Sequence, residues 1–393
     1  MINATDRPRT LEVLSLLLLC SGVILTPLRY HLPPDIYGNI FLLSLLFVWT
    51  LKELSIEREI ELTYFHIFGI LFICLALAST FWSESISRSF HFVLPWIASI
   101  LFIVSIQNSI NHKHQVDLLL ILYLSLTLVF AAGIIYNYIV QSPWQASRYS
   151  FLGENPNRMG FFLAVGVPIS LRFLHSNNRT FYTHFIFVFC AVIILISAIF
   201  LTGSRTAIVA LLPSVLVVIY FSIYMYSIIS KKMAFLISIA SILPLFYFLP
   251  VEEIWIRISS IYSEVVNLSF GSRYVIWTEG FQVFANSPTI GVGYGGFRAA
   301  AEPILGYEVP PESTYLGALY QLGIIGAILF TLVLTSLFKM AKSNLLWLSF
   351  LITNLILMIT NDWLHYPTMW ILFAIMVVDL TLDNPVERTT KTQ

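Results

Sequence analysis

Charge is scarce in this chain. Only 11% of its 393 residues are Asp, Glu, Lys or Arg, where soluble domains carry about 25%. The charges cancel to a net of +0, so no overall basic balance points to nucleic acid. Cysteine is nearly absent: Cys20, Cys74 and Cys190 lie far apart in apolar runs, with no C-x-x-C pair and no Cys/His cluster. That argues against disulfides and thiolate metal sites and predicts buried free thiols. A nucleotide-binding fingerprint is also missing. Gly291, Gly293, Gly295 and Gly296 follow no strand, and no Gly-Lys-Ser/Thr comes after them. No internal repeat or low-complexity linker divides the sequence.

Apolar residues fill the space. They make up 58% of the chain, with a mean hydropathy of +0.83. A spanning helix needs about 20 mostly apolar residues. About twelve stretches qualify: 11–29, 36–53, 61–81, 89–108, 116–140, 158–174, 181–203, 206–229, 232–250, 314–338, 344–360 and 362–382. The expected fold is an all-α polytopic membrane protein. Helices 1–9 fall in 1–250, a polar loop in 251–312, and helices 10–12 with a tail in 313–393. The first run follows Arg7 and Arg9 without a small-residue cleavage site, so it reads as a retained helix.

Basic residues set the orientation. With both termini inside, the inner segments hold 13 of the 21 basic residues, including all seven lysines. The outer cations, among them Arg88, Arg148, Arg158, Arg205, Arg273 and Arg298, are all arginine. A guanidinium binds phosphate through two nitrogens at once. Leftover arginine after lysine has set topology would give the same partition.

Four outer constellations stand out. At Asn155-Pro156-Asn157-Arg158, Asn157 is expected to cap a helix and Arg158 to face outward. At Thr202-Gly203-Ser204-Arg205, two apolar runs meet at one arginine. It either snorkels or turns into a polar cavity. In the polar loop, Arg273 and Trp277 share a face if their segment is helical. At Glu312-Ser313-Thr314-Tyr315, Ser313 or Thr314 caps the next helix. Glu312 is then a dipole partner, a general base, or both. The turn Asn361-Asp362-Trp363-Leu364-His365-Tyr366 reads as an aromatic belt at the interface. His365 is an alternative acid–base group there.

The order of these pieces, with Asn286-Ser287-Pro288, Gly291 to Phe297, and Gly323 to Gly326, resembles the O-antigen ligase/polymerase superfamily of bacterial envelope glycosyltransferases. The resemblance covers about residues 150–330 by motif. It implies a membrane glycosyltransferase of the GT-C type, without cofactor or metal, in the bacterial inner membrane with its site facing the periplasm. The donor would be an undecaprenyl-diphosphate-linked glycan. The acceptor would be another lipid-linked glycan or lipid A-core, with a chain-length regulator as a further partner. Glu312, Arg205 and Arg273 would be catalytic. Arg158, Arg298, Asn157, Trp277, Tyr315 and His365 would contact diphosphate or glycan. Ligase members carry His-Asn where this chain has Glu312-Ser313, which favours a polymerase. A secondary transporter would show internal repeats, and a non-catalytic envelope component would carry charge deep in several spans.

Overall fold

The structure is a computed structural model that describes residues 62–90, 109–140, 148–173, 181–224, 272–364 and 366–383, with single positions at 19, 20, 23, 92, 103, 104, 106, 107 and 259. Among the described residues all regular structure is helical. In chain order the helices are α1 (Tyr64–Ala78), α2 (Lys113–Val140), α3 (Pro156–Arg172), α4 (Phe181–Thr202), α5 (Arg205–Val209), α6 (Leu212–Tyr224), α7 (Ser272–Asn286), α8 (Phe297–Leu305), α9 (Thr314–Ala341), α10 (Leu345–Leu357) and α11 (Pro367–Asp383). The chain forms two compact units. One comprises 1–122, 272–341 and 358–393, the other 123–271 and 342–357.

By length and composition alone, three segments are long and apolar enough to cross a membrane: Tyr64–Trp82, Lys113–Val140 and Thr314–Ala341, the last interrupted at Gly323. The expected spans at 36–53 and 232–250, and most of 11–29 and 89–108, lie outside the described residues. The expected span at 206–229 is two helices, α5 and α6, with a break at residues 210–211. Within the polar segment 251–312, α7 and α8 are helical, so Arg273 and Trp277 lie on one helix. Cys74 and Cys190, expected to be buried, are exposed on their helices.

In the second unit, α3 is buried along nearly its whole length and packs against α4, α5, α6 and α10. A helix apolar on all sides belongs inside a protein. Its start is built locally. Asn155, not Asn157, is the cap: its side chain accepts from the Asn157 N–H at 2.8 Å, and Pro156 opens the helix. Gly160 sets the spacing to α5. A methyl group there would lie 2.8 Å from Ser204 Cβ and 2.9 Å from Ala207 Cβ.

In the first unit, α9 is not one straight helix. Gly323 sits at φ 66°, ψ −165°, a conformation that only glycine adopts readily. Tyr315 and Phe330 are 15 residues apart, which is about 22 Å along a straight helix. Their rings nevertheless lie 6.1 Å apart. The arm from Thr314 to Leu322 therefore folds back on the arm from Ile324 to Ala341, correcting the single span expected at 314–338. The break leaves backbone groups that apolar surroundings would penalise. They are satisfied by the turn after α7. Ile324 N–H donates to Pro288 O at 2.9 Å, Ile325 N–H to Thr289 O at 3.3 Å, and Val292 N–H to Tyr320 O at 3.2 Å. A methyl group on Gly323 would lie 2.3 Å from the Thr289 carbonyl carbon. Gly323→Ala is expected to lower the melting temperature and the yield of folded protein, read by size exclusion in detergent. A wild-type profile would contradict this close approach.

Candidate functional site

The turn from Gly291 to Gly296 is pinned on several sides. Its Tyr294 N–H donates to Ser79 Oγ at 2.8 Å, and its Gly295 N–H donates to Gln321 Oε1 at 2.7 Å. Ser89 Oγ donates to Tyr294 O. The glycines bend the chain onto the end of α1 and onto α9. This holds α8, and with it Arg298, at a fixed place. Helix α7 is held separately. Ile276 and Val283 pack in an apolar cluster with Phe297 and Tyr320. The Tyr320 hydroxyl donates to Trp277 O at 2.8 Å. Gly280 permits the contact, since a methyl group there would sit 2.5 Å from the Tyr320 ring. Trp277 is half-buried against the same cluster.

That packing brings together two residues singled out from sequence. Arg273 Nε lies 3.4 Å from Glu312 Oε2, 39 residues away. Both side chains keep some exposure, 23% and 30%. Glu312 itself sits at φ 52°. A non-glycine residue in this region is uncommon and clusters at functional sites.

A third charged group was missed from sequence. Thr314 stitches the start of α9 to the turn before α11. Its N–H donates to Met358 O at 2.9 Å, its hydroxyl donates to Asn361 O at 2.6 Å, and the hydroxyl oxygen accepts from Trp363 N–H at 3.0 Å. Thr314 is thus committed to the turn, and Ser313 is left as the cap, with its Oγ 3.5 Å from Leu316 N. Asp362 arrives beside Glu312 by this route. It lines a cavity of about 20 Å³ with Arg298, Gln321, Tyr294, Phe92, Pro310 and Pro311, among others. Trp363 and Tyr366 are buried with rings 4.6 Å apart, so this turn is packed inside protein and is not an interfacial belt. His365 lies outside the described residues.

The Asp362 carboxyl is pushed up from 3.8 to about 7. Burial is the main cause, the Leu364 N–H opposes it, Glu312 adds to it, and Arg298 opposes it. The folded protein therefore holds this proton more tightly than the unfolded chain. The stabilisation is full below about 3.8 and is lost as pH rises through about 7. Melting of the purified protein should show a falling stability over this window, and Asp362→Asn should flatten it. An unchanged slope in the Asn variant would contradict the assignment.

In the second unit the predicted residues have their own partners. Arg158 Nη1 lies 2.7 Å from Glu154 Oε2, whose side chain is only 6% exposed. Arg148, which sequence reading left unassigned, donates from Nη2 to Asn157 Oδ1 and from Nε to Thr202 O at 3.1 Å. Arg205 opens α5, half-buried, after Ser204. The loop before α3 and the turn before α5 are thereby tied together. In the first unit, Tyr315 is half-buried with its ring against Phe330. Among the described residues no group of three or more His, Cys, Asp or Glu is placed to hold a metal ion.

Among the described residues, all-helical structure with long apolar helices defines a membrane-associated protein, and a carboxylate–guanidinium pair lies where a broken helix begins. Residues 190–331 match the family model described as O-antigen ligase, in keeping with the O-antigen ligase/polymerase superfamily. The match supports a glycan-handling enzyme of that general type. It spans Arg205, Arg273, Arg298 and Glu312 and leaves out Arg158 and Asp362. No curated protein matches the chain.

Proposed function

We propose that the protein transfers an undecaprenyl-diphosphate-linked glycan on the periplasmic face of the inner membrane, and that it is a polymerase of O-antigen or a related surface polysaccharide. The observation that carries this reading is the Arg273–Glu312 pair, 3.4 Å apart. An acceptor sugar hydroxyl attacks the anomeric carbon of the donor glycan. Its proton passes to the Glu312 carboxylate, a suitable base within reach of a bound hydroxyl. The anomeric carbon–oxygen bond to the diphosphate breaks, and the leaving group keeps the electron pair. Fixed cations stabilise the charge that develops there. Arg273 meets Glu312 through Nε, and a phosphate would take its two terminal nitrogens. Arg298 supports from the cavity wall. The motif order, not the geometry, adds Arg205 as a further candidate cation.

Asp362 has a place in this scheme that sequence alone did not suggest. A carboxyl group whose hold on its proton is raised by burial suits acid–base work near neutrality. Burial raises Asp362 to about 7, so near neutrality it can both hold and release a proton at the wall of the cavity.

A second reading is ligation of the glycan to lipid A-core, which the description of the matching family favours. The lipopolysaccharide banding of a deletion strain separates the two. Loss of a polymerase leaves core plus one repeat. Loss of a ligase leaves bare core, with polymer stranded on its carrier lipid.

A further inference from the structure

We propose that residues 307–311 form a strap that shuts the Arg298–Asp362 cavity and lifts to admit the acceptor sugar. This rests on the glycosyl-transfer reading above. The size of the cavity is the first observation. At about 20 Å³ it has room for roughly one water molecule, and a sugar ring cannot enter. Yet its wall carries the charged groups Arg298 and Asp362, which are suited to sugar hydroxyls. Either this cavity never meets substrate, or part of its wall moves.

The strap is the part of the wall built to move. Pro310 and Pro311 form that side of the cavity. The chain enters the strap at Gly306, with φ 78°, where α8 ends and the Gly306 N–H closes onto Glu302 O at 2.8 Å. It leaves at Glu312, with φ 52°. Both ends are left-handed and lie at the ends of helices, and hinges are a few such loop or element-terminal positions that absorb backbone rotation. The two prolines between them are stiff and would move as one piece.

Among the described residues, one ion pair ties the strap to a distant part of the chain. Arg88 Nη2 lies 2.7 Å from Glu308 Oε2, 220 residues apart. The side chains are 29% and 43% exposed. An ion pair so open to water is weak and easily broken, which suits a latch better than a structural staple. Val309 docks against the α7–α8 cluster by apolar contact alone. Because Glu312 is one hinge, lifting the strap would also shift its carboxylate relative to Arg273. Entry of the acceptor and alignment of the base would then be one motion.

The test locks the latch. Cys20, Cys74 and Cys190 are first replaced by Ala, and Arg88→Cys and Glu308→Cys are introduced together. Treatment with a short bis-thiosulfonate crosslinker should abolish turnover of a lipid-linked repeat unit, and reductant should restore it. Undiminished turnover by fully crosslinked protein would overturn the strap. If the cysteine-free parent shows no transfer at all, the glycosyl-transfer reading fails instead. A second readout needs no turnover. Pro310→Cys in the cysteine-free chain should react faster with a small water-soluble thiol reagent when Glu308→Ala is added. Equal rates with and without the latch would overturn the proposal.

Discussion

Glu312→Gln should nearly abolish glycan transfer while the protein stays folded and still binds its lipid-diphosphate donor. Gln keeps the shape of the side chain and loses the proton acceptor. Two roles for Glu312 predict different magnitudes. As a dipole partner at the start of α9 it would contribute about 0.3–1 kcal/mol, and the variant would be mild. As the general base it contributes about 10²–10⁴-fold in rate. The position of Glu312 favours the second. It meets Arg273 at 3.4 Å and sits in a strained backbone conformation at φ 52°, neither of which a dipole partner needs. Glu312→His is the companion variant, since His is the residue carried there by the ligases that the motif order resembles. Partial activity, or use of lipid A-core as acceptor, is expected of it. Wild-type turnover by Glu312→Gln would remove Glu312 as the base.

Arg273→Ala should be the next largest loss. Removing one fixed donor to a developing anion typically costs about 10²–10³-fold in turnover. The structural cost should be small, because an ion pair this exposed contributes about 0–1 kcal/mol to stability. Protein level and melting temperature should therefore stay near wild type while turnover collapses. Arg273→Lys should recover only part of the activity, since Lys offers a point charge where Arg offers a planar fork. Full activity in Arg273→Ala would take this arginine out of the mechanism.

Some of the site was legible in the sequence and some was not, for physical reasons. Glu312 stood out because a carboxylate where a polar loop enters an apolar run is costly and needs a reason, and Arg273 because it shares a helical face with Trp277. Their pairing was not legible. It depends on α7 docking on Tyr320 through Gly280, a contact that joins distant stretches of chain. Asp362 was hidden by its neighbours. Beside Trp363 and Tyr366 it looked like part of a solvated aromatic turn, and only the Thr314 stitch shows that the turn is packed inside protein. The fold-back in α9 was masked for a similar reason. Hydropathy is continuous from Leu319 to Phe338, and an isolated glycine in a helical pattern is usually tolerated. What breaks the helix at Gly323 is the Pro288–Thr289 backbone, which takes up the hydrogen bonds that the helix gives up. The cap at Asn155 instead of Asn157 turned on a shift of two residues in a segment rich in turn formers. The arginine partition drew attention to the outer surface but could not separate working cations from tethered ones. Arg158 is tied to Glu154 and Arg148 to Asn157.

The measurement that tests the central claim most directly uses purified protein in proteoliposomes, given only an undecaprenyl-diphosphate-linked repeat unit and no added metal. The account predicts glycan longer than one repeat on gels, with one undecaprenyl diphosphate released for every linkage formed. A repeat unit that stays unextended, with no diphosphate released and with wild-type and Glu312→Gln protein indistinguishable, would contradict it.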